Sequence, residues 1–283
     1  MKRGLILEGG AMRGMFTCGV LDVFLENGIQ FDGGAGISAG AIFGSNYKSK
    51  QIGRGIRYNK KYSKDKRFCS FKSLIKTGDL YGVDFCYHEI PEKLDPVDYE
   101  AFKNNPFEFY VGATNLADGK VVFHKLSDCK ENDILWIQAS ASMPGVARPV
   151  NVDGYTLLDG GIVDPIPYEY VESLGYDRNV AVLTQPYDYV KKKTKAAIIY
   201  NRSLKDYPHI ANIMSERHIL YNNMTDEVKK REEAGTLFVI RPPEPLGIPR
   251  TEKNPDELER VYQIGRNEAL KRLPELKKYL ELD

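Results

Sequence analysis

The sequence predicts an α/β fold with a mostly parallel central sheet flanked by helices, and two observations carry that prediction. Over the first fifty residues, short apolar runs of strand length alternate with stretches of helical periodicity, the unit of a parallel sheet. Glycine-framed turns stand where the first two strands hand over to helices. No low-complexity linker or internal repeat interrupts the chain, so one compact unit with a mostly helical C-terminal part is expected. Its division is drawn as a core over residues 1–172 and an α/β extension, 173–283, packed on the same unit.

Gly4 to Glu8 is an apolar strand that runs into the turn E-G-G-A-M-R-G, Glu8 to Gly14. From Met15 to Asn27, Phe16, Val20, Leu21, Phe24 and Leu25 recur at helical spacing, and Gly28 is placed to close that helix. Ile29 to Ile37 returns as a strand feeding a second turn, G-I-S-A-G, Gly36 to Gly40, and a helix follows through Ala39, Ala41, Ile42 and Tyr47. Arg54 to Lys76 is basic and aromatic. Phe107 to Thr114 and Lys120 to His124 are strand-like around a turn at Ala117 to Gly119, and Asp133 to Ser142 is helical before Pro144. Tyr155 to Leu158 is a strand that ends in a third turn, L-L-D-G-G, with Asp159 at its acid position. Asn179 to Thr184 and Thr236 to Arg241 are late strands. After the loop Pro242 to Pro249, Asn254-Pro255-Asp256-Glu257 opens a final helix with an N-cap, a first-turn proline and acids at the positive dipole end.

Composition excludes several classes. A chain of 283 residues at formal charge +1 carries no global field pointing to nucleic acid. Its longest apolar runs are strand-sized, and the apolar stretch before Glu8 is too short for a signal-peptide core. Cys18, Cys69, Cys86 and Cys129 form no C-x-x-C pair, as expected of reduced thiols in a cytosolic protein. No metal-spaced ligand set is visible, and neither a metal nor a cofactor is expected. The oligomeric state is left open.

Ser38 stands on a sharp strand-to-helix turn in which Gly36 and Gly40 leave room for close packing, as a serine nucleophile requires; a tight connection in which Ser38 only caps the helix is the plainer alternative. Gly9, Gly10 and Gly14 open the first helix and present N–H groups to an anion. A phosphate loop fails, because Met15 and Phe16 stand where Lys and Ser or Thr are needed. A dinucleotide fingerprint is broken at Ala11, although Asp32 sits where a ribose-binding acid would; a nucleotide-binding module remains the rival outside the enzymes. An oxyanion hole is the third use, with Arg13 bracing the loop or facing an anionic head group. For the base, Asp159 ends a strand, with Gly160 and Gly161 turning the chain sharply away; taken alone, a turn-forming Asx residue is the plainer alternative. His88, His124, His209 and His218 sit in no glycine turn, though His209 or His218 would serve an α/β-hydrolase triad.

The three motifs, in this order, resemble the patatin-like phospholipase family. G-A-T-N-L, Gly112 to Leu116, and A-S-A-S-M-P, ending in Pro144, are similar to that family's surroundings of the site. The resemblance implies a three-layer sandwich and a serine acyl hydrolase acting on lipid esters through a Ser–Asp dyad. Ser38 would be the nucleophile, Asp159 the base, and Gly9, Gly10, Ala11, Arg13 and Gly14 the oxyanion loop. Ala11 departs from the family, which usually has glycine there. The stretch 54–76 is compatible with docking on an anionic membrane surface and equally with a solvated face, so the expected location is cytoplasmic, membrane-peripheral if that stretch docks.

Overall fold

The computed structural model describes residues 1–282. In these residues eight strands form one sheet: β1 (Arg3–Leu7), β2 (Gly33–Gly36), β3 (Glu108–Asn115), β4 (Val121–Lys125), β5 (Val150–Val152), β6 (Tyr155–Asp159), β7 (Arg178–Val182) and β8 (Leu237–Ile240). Among the described residues ten α-helices surround it: α1 (Met15–Glu26), α2 (Ala39–Lys48), α3 (Arg54–Tyr62), α4 (Phe71–Thr77), α5 (Tyr99–Asn104), α6 (Glu131–Ser140), α7 (Tyr168–Ser173), α8 (Ala197–Ser203), α9 (Pro208–Glu233) and α10 (Pro255–Tyr279). A π-helical segment, Phe85–Leu94, lies between α4 and α5.

The sheet runs β5-β6-β3-β2-β1-β7-β8, with β4 pairing β3. The run β3-β2-β1-β7-β8 is parallel throughout, and the antiparallel pairings are confined to β4, β5 and β6. Alternation along each strand divides the core into two faces. Leu5 and Leu7 of β1, with Val180 and Val182 of β7, pack with α1, α2, α6 and α10. Ile6 and Ala181 face the other way, onto Val171 of α7 and Tyr221 and Val228 of α9. The result is a three-layer sandwich, and the late strands β7 and β8 belong to the same sheet as the N-terminal ones. Among the described residues no helix is long and apolar enough to cross a membrane.

Register explains why distant turns meet. β4 occupies one edge of β3 along Tyr110 to Thr114. β2 pairs β3 from Glu108 to Val111 and β6 pairs it from Ala113 to Asn115, so both must share the opposite edge, end to end. β2 stops at Gly36 opposite Val111, and the antiparallel β6 arrives with Asp159 opposite Ala113. Ser38, two residues beyond Gly36, therefore converges on Asp159 over β3.

Several elements differ from expectation at their ends or in kind. The strand expected over Ile29–Ile37 is only Gly33–Gly36, because Ile29 and Phe31 face the core from a connecting loop. The helix expected over Asp133–Ser142 spans Glu131–Ser140, after which Ala141 breaks helical geometry. The basic, aromatic stretch contains α3, whose Arg54, Tyr58 and Tyr62 are buried. Arg54 donates to the Asp95 carbonyl at 2.7 and 3.0 Å and forms an ion pair with its carboxylate at 3.6 Å. A paired core cation and a solvated one look alike in sequence, and here the pairing decides.

Candidate active site

The site lies at the C-terminal ends of the parallel strands, where open α/β sheets bind ligands. The loop after β1 carries Gly9 to Gly14, the turn after β2 carries Ser38, and the loops after β7 and β8 bring Lys191 and Arg250. Ser38 has φ 56° and ψ −118°, a conformation costly for a residue with a Cβ, and it caps α2 without a side-chain bond to the helix. Its hydroxyl is thereby left to face the site, unlike a helix-capping serine. A Cβ on Gly36 would stand 2.6 Å from the Gly40 carbonyl oxygen, and one on Gly40 would run into the Leu7 carbonyl, so both glycines are required by close approach. The Ser38 N–H donates to Ser140 Oγ at 2.9 Å, and Ser140 donates to the Gly112 carbonyl at 2.7 Å. Ser140 thus fastens the turn to β3.

Asp159 is 2% exposed and held by three hydrogen bonds. Its Oδ1 accepts from the Gly161 N–H at 2.7 Å, its N–H donates to the Ser142 carbonyl at 2.9 Å, and its carbonyl accepts from Thr114 Oγ1 at 2.9 Å. Gly160 presses against the Gly112 backbone. Burial pushes the carboxyl up to about 6, against the lowering effects of the Gly161 N–H, the nearby Ser38 hydroxyl, and the Arg217 and Arg250 guanidiniums. No imidazole is among these groups. His88 is exposed and pairs Glu92 at 3.1 Å, and His124 pairs Asp133 at 2.9 Å while stacked on Trp136. His209 lies near Gly119, and His218 lines a separate cavity.

In the glycine loop, Gly9 packs against Ile37 and Ser38, Gly10 against Thr184, and Gly14 against Ala39 and Phe43. Gly9 donates to the Pro165 carbonyl at 3.2 Å and Met12 to the Arg250 carbonyl at 3.4 Å. The N–H groups of Gly10 and Ala11 have no protein partner among the described residues and adjoin the serine turn. Ala11 has φ 48°, so the position where the family usually carries glycine does demand the left-handed region, at a cost of roughly 1 kcal/mol for alanine. Glu8 anchors the loop: its carboxylate accepts from the Thr184 N–H at 2.5 Å and from the Tyr221 hydroxyl at 2.6 Å.

Two cavities flank this arrangement. The first, about 380 Å³, is lined chiefly by apolar groups, among them Ile42, Phe43, Leu80, Ile90, Ile137 and Ile199, and Ser38 and Ala11 stand in its wall. The second, about 310 Å³, is lined by Lys191, Lys192, Arg217, His218 and Arg250 together with Tyr189 and Tyr200. Arg217 Nε donates to the Gly161 carbonyl, beside Asp159. Among the described residues no three His, Cys, Asp or Glu side chains cluster as a metal site would.

The family described as "Patatin-like phospholipase" matches residues 5–171, more than half of the chain and the span that holds all three turns. The chain belongs to the patatin-like phospholipase family. A "Domain of unknown function (DUF6363)" matches residues 207–281, which hold α9 and α10. The "Uncharacterized protein YjjU" of Escherichia coli is 27% identical over 274 residues, covering 93% of this chain and 74% of that protein. The "Uncharacterized NTE family protein Rv1063c" of Mycobacterium tuberculosis is 28% identical over 63% of this chain and 48% of its own length. "Lysophospholipase NTE1" of Coccidioides immitis is 26% identical over 93% of this chain, which corresponds to 17% of that protein. Patatin-like membership supports a lipid hydrolase. Arg217, Arg250, Lys191 and Ser140 escaped sequence reasoning; only Ser140 had a local signal, the A-S-A-S-M-P stretch.

Proposed function

We propose that this chain is a serine acyl hydrolase that cleaves carboxylic esters of lipids through a Ser38–Asp159 dyad. The observation that carries the reading is the convergence of the strained Ser38 turn on a buried carboxyl held near 6. A base of that pKa is largely ionised at neutral pH yet basic enough to take a proton in the transition state. Ser38 Oγ attacks the acyl carbonyl carbon as its proton passes to an Asp159 oxygen. The tetrahedral oxyanion is held by the N–H groups of Gly10 and Ala11, each such donor being worth roughly 10²–10³ in rate. Asp159 returns the proton to the departing alcohol, leaving the acyl group on Ser38. Water, deprotonated by Asp159, then attacks the acyl-serine, and Ser38 leaves as its oxygen recovers the proton. The apolar cavity beside Ser38 suits an acyl chain. The family and the lysophospholipase name of one relative support a lipid as the carrier of that chain.

The test is covalent labelling by a fluorophosphonate, followed by intact mass, together with kcat/KM on a short nitrophenyl ester. Labelling is expected in the native chain and not in Ser38→Ala. Asp159→Asn is expected to lose about 10³-fold or more in folded protein, whereas His88, His124, His209 and His218 variants keep most activity, since loss of a general base costs on the order of 10²–10⁴. Equal labelling of Ser38→Ala, or a comparable loss at one histidine, would refute the dyad. We further propose peripheral membrane contact at the mouth of the apolar cavity, through α4 and α8, whose Phe71, Ile75, Ile198 and Ile199 are exposed.

A further inference from the structure

The second cavity has a composition that acyl transfer does not require. Lys191, Lys192, Arg217, His218 and Arg250 line it, and Arg13 acts on Lys191 from the glycine loop. Elsewhere in the fold several buried or half-buried arginines are matched, Arg54 by Asp95, Arg231 by Glu172 and Arg266 by Glu26. Among the described residues no carboxylate stands within ion-pair distance of Arg13, Lys191, Arg217 or Arg250. The two acids nearby are engaged, Glu8 by Thr184 and Tyr221, and Asp159 by the Gly161 N–H. Arg13 Nε and His218 Nδ1 are buried with no hydrogen-bond partner. Burial and the neighbouring Arg217, Arg250 and Arg13 cations push the Lys191 ammonium down to about 7. A cluster of like charges assembled in a concave site, with unused donors and no protein counterion, is what an anionic ligand would complete.

Placement says which part of a substrate the anion belongs to. Tyr200 and Arg250 line both cavities, and Arg217 spans from the cationic one to the Gly161 carbonyl beside Asp159. With an acyl chain in the apolar cavity and its carbonyl at Ser38, the leaving alcohol falls on the cationic side. We propose that the cationic cavity is a subsite for a head group of net negative charge, a phosphate monoester carried on the leaving alcohol of the ester. The assignment rests on the acyl-hydrolase reading. Phosphate oxygens accept charge-assisted bonds from Lys191, Arg217 and Arg250, and Arg13 adds to the field. A phosphocholine would bring a quaternary ammonium against the same cations with no carboxylate to receive it.

The experiment compares three esters short enough to stay monomeric: hexanoylglycerol phosphate, hexanoylglycerol phosphocholine and hexanoylglycerol. The phosphate monoester is expected to exceed both others in kcat/KM by about tenfold or more, mainly through KM, since sites built for a polar group discriminate strongly against its absence. Lys191→Met should collapse that ratio and Lys191→Arg should keep it. Because the ratio compares substrates on one protein, damage to the fold or to the dyad cancels. Equal kcat/KM on all three overturns the subsite and leaves the hydrolase reading standing. Turnover of none overturns the hydrolase reading, and the subsite is then judged by calorimetry with glycerol 3-phosphate. Binding that weakens about tenfold or more in Lys191→Met supports it, and no binding overturns it. If inorganic phosphate binds as tightly as glycerol 3-phosphate and does not compete with the esters, the cavity is a free-anion site and the head-group assignment is overturned.

Discussion

Burial of the Asp159 carboxyl raises it from 3.8 to about 6, and the shift has a consequence for stability as well as for chemistry. A carboxyl whose folded pKa exceeds its unfolded one holds its proton more tightly when folded. Its contribution is therefore fully present below about pH 4, is lost as pH rises through about 6, and is a constant penalty above that. At about 1.4 kcal/mol per unit, the penalty at neutral pH is on the order of 2–3 kcal/mol. Asp159→Asn removes the charge but keeps the shape, so urea unfolding should find this variant more stable than the native chain at pH 7.5 by about that amount. The advantage should shrink toward pH 4, while kcat/KM of the native chain rises between about pH 5 and 7. An advantage of the same size at both pH values would mean that ionisation of Asp159 is not its source. The turns that carry Ser38 and Asp159 were legible because they impose backbone demands that only glycine neighbours meet, and those demands are written within five residues. Arg217, Arg250 and Lys191 have no such local requirement. Their role comes from loops after β7 and β8 and from α9 meeting over the sheet, which no spacing along the chain encodes.

At the scale of elements, the N-terminal strand–helix–strand–helix was readable because α1 and α2 carry apolar residues at helical spacing between glycine turns. The long α9 was not, because its buried positions, Ile210, Ala211, Met214, Tyr221, Thr225 and Val228, are interleaved with Arg217 and His218, which line the cavity rather than the core. The last helix was legible from its cap, and Asn254 Oδ1 does accept from the Asp256 N–H at 3.1 Å. What the cap could not reveal is where α10 docks. It lies along α1, where a Cβ on Gly265 would collide with the Phe16 carbonyl and one on Gly19 with that of Tyr262. The contact is sealed by the Tyr262 hydroxyl donating to Asp22 at 2.7 Å and by the Arg266–Glu26 pair at 2.8 Å. Backbones this close leave no space for a side chain, so Gly265→Val must push the helices apart and unpack Val261 and Ala269. A loss of about 2–4 kcal/mol is expected in chemical denaturation, in the range of core overpacking and lost burial combined. A loss under about 0.5 kcal/mol would mean that α10 can shift along α1 without cost.

For the whole molecule, the stretch 54–76 had been readable either as a docking surface or as a solvated face, and the fold divides it. Its first half, α3, is sealed against α1 and α10, while its second half ends in α4, where Phe71 and Ile75 are 77% and 87% exposed. Sequence gave no reason to join α4 with α8, 120 residues later by chain, yet both border the Gly145–Arg148 loop at the apolar cavity's mouth: Gly78 approaches Arg148, and Gly145 approaches Ile199. Ile198 is 81% exposed, and Lys72, Lys76, Lys192, Lys193 and Lys195, all exposed, stand within a few residues of these apolar side chains along the chain. Exposed apolar side chains with lysines close by in sequence suit an anionic bilayer, where each basic residue near the surface contributes about 1 kcal/mol and each inserted side chain adds its apolar area. Entry of an acyl chain from the bilayer into the cavity then needs no transfer through water. Vesicles with and without about one third anionic lipid separate the two contributions. Co-sedimentation is expected with anionic vesicles, weakened by salt, and lowered about tenfold or more in the double variant Phe71→Ser, Ile198→Ser, each inserted apolar side chain being worth roughly 1–2 kcal/mol. Hydrolysis of a soluble nitrophenyl ester by the same variant should be close to that of the native chain, because neither side chain reaches Ser38. Unchanged co-sedimentation of that variant, or equal binding to neutral vesicles, would remove this face as the docking surface.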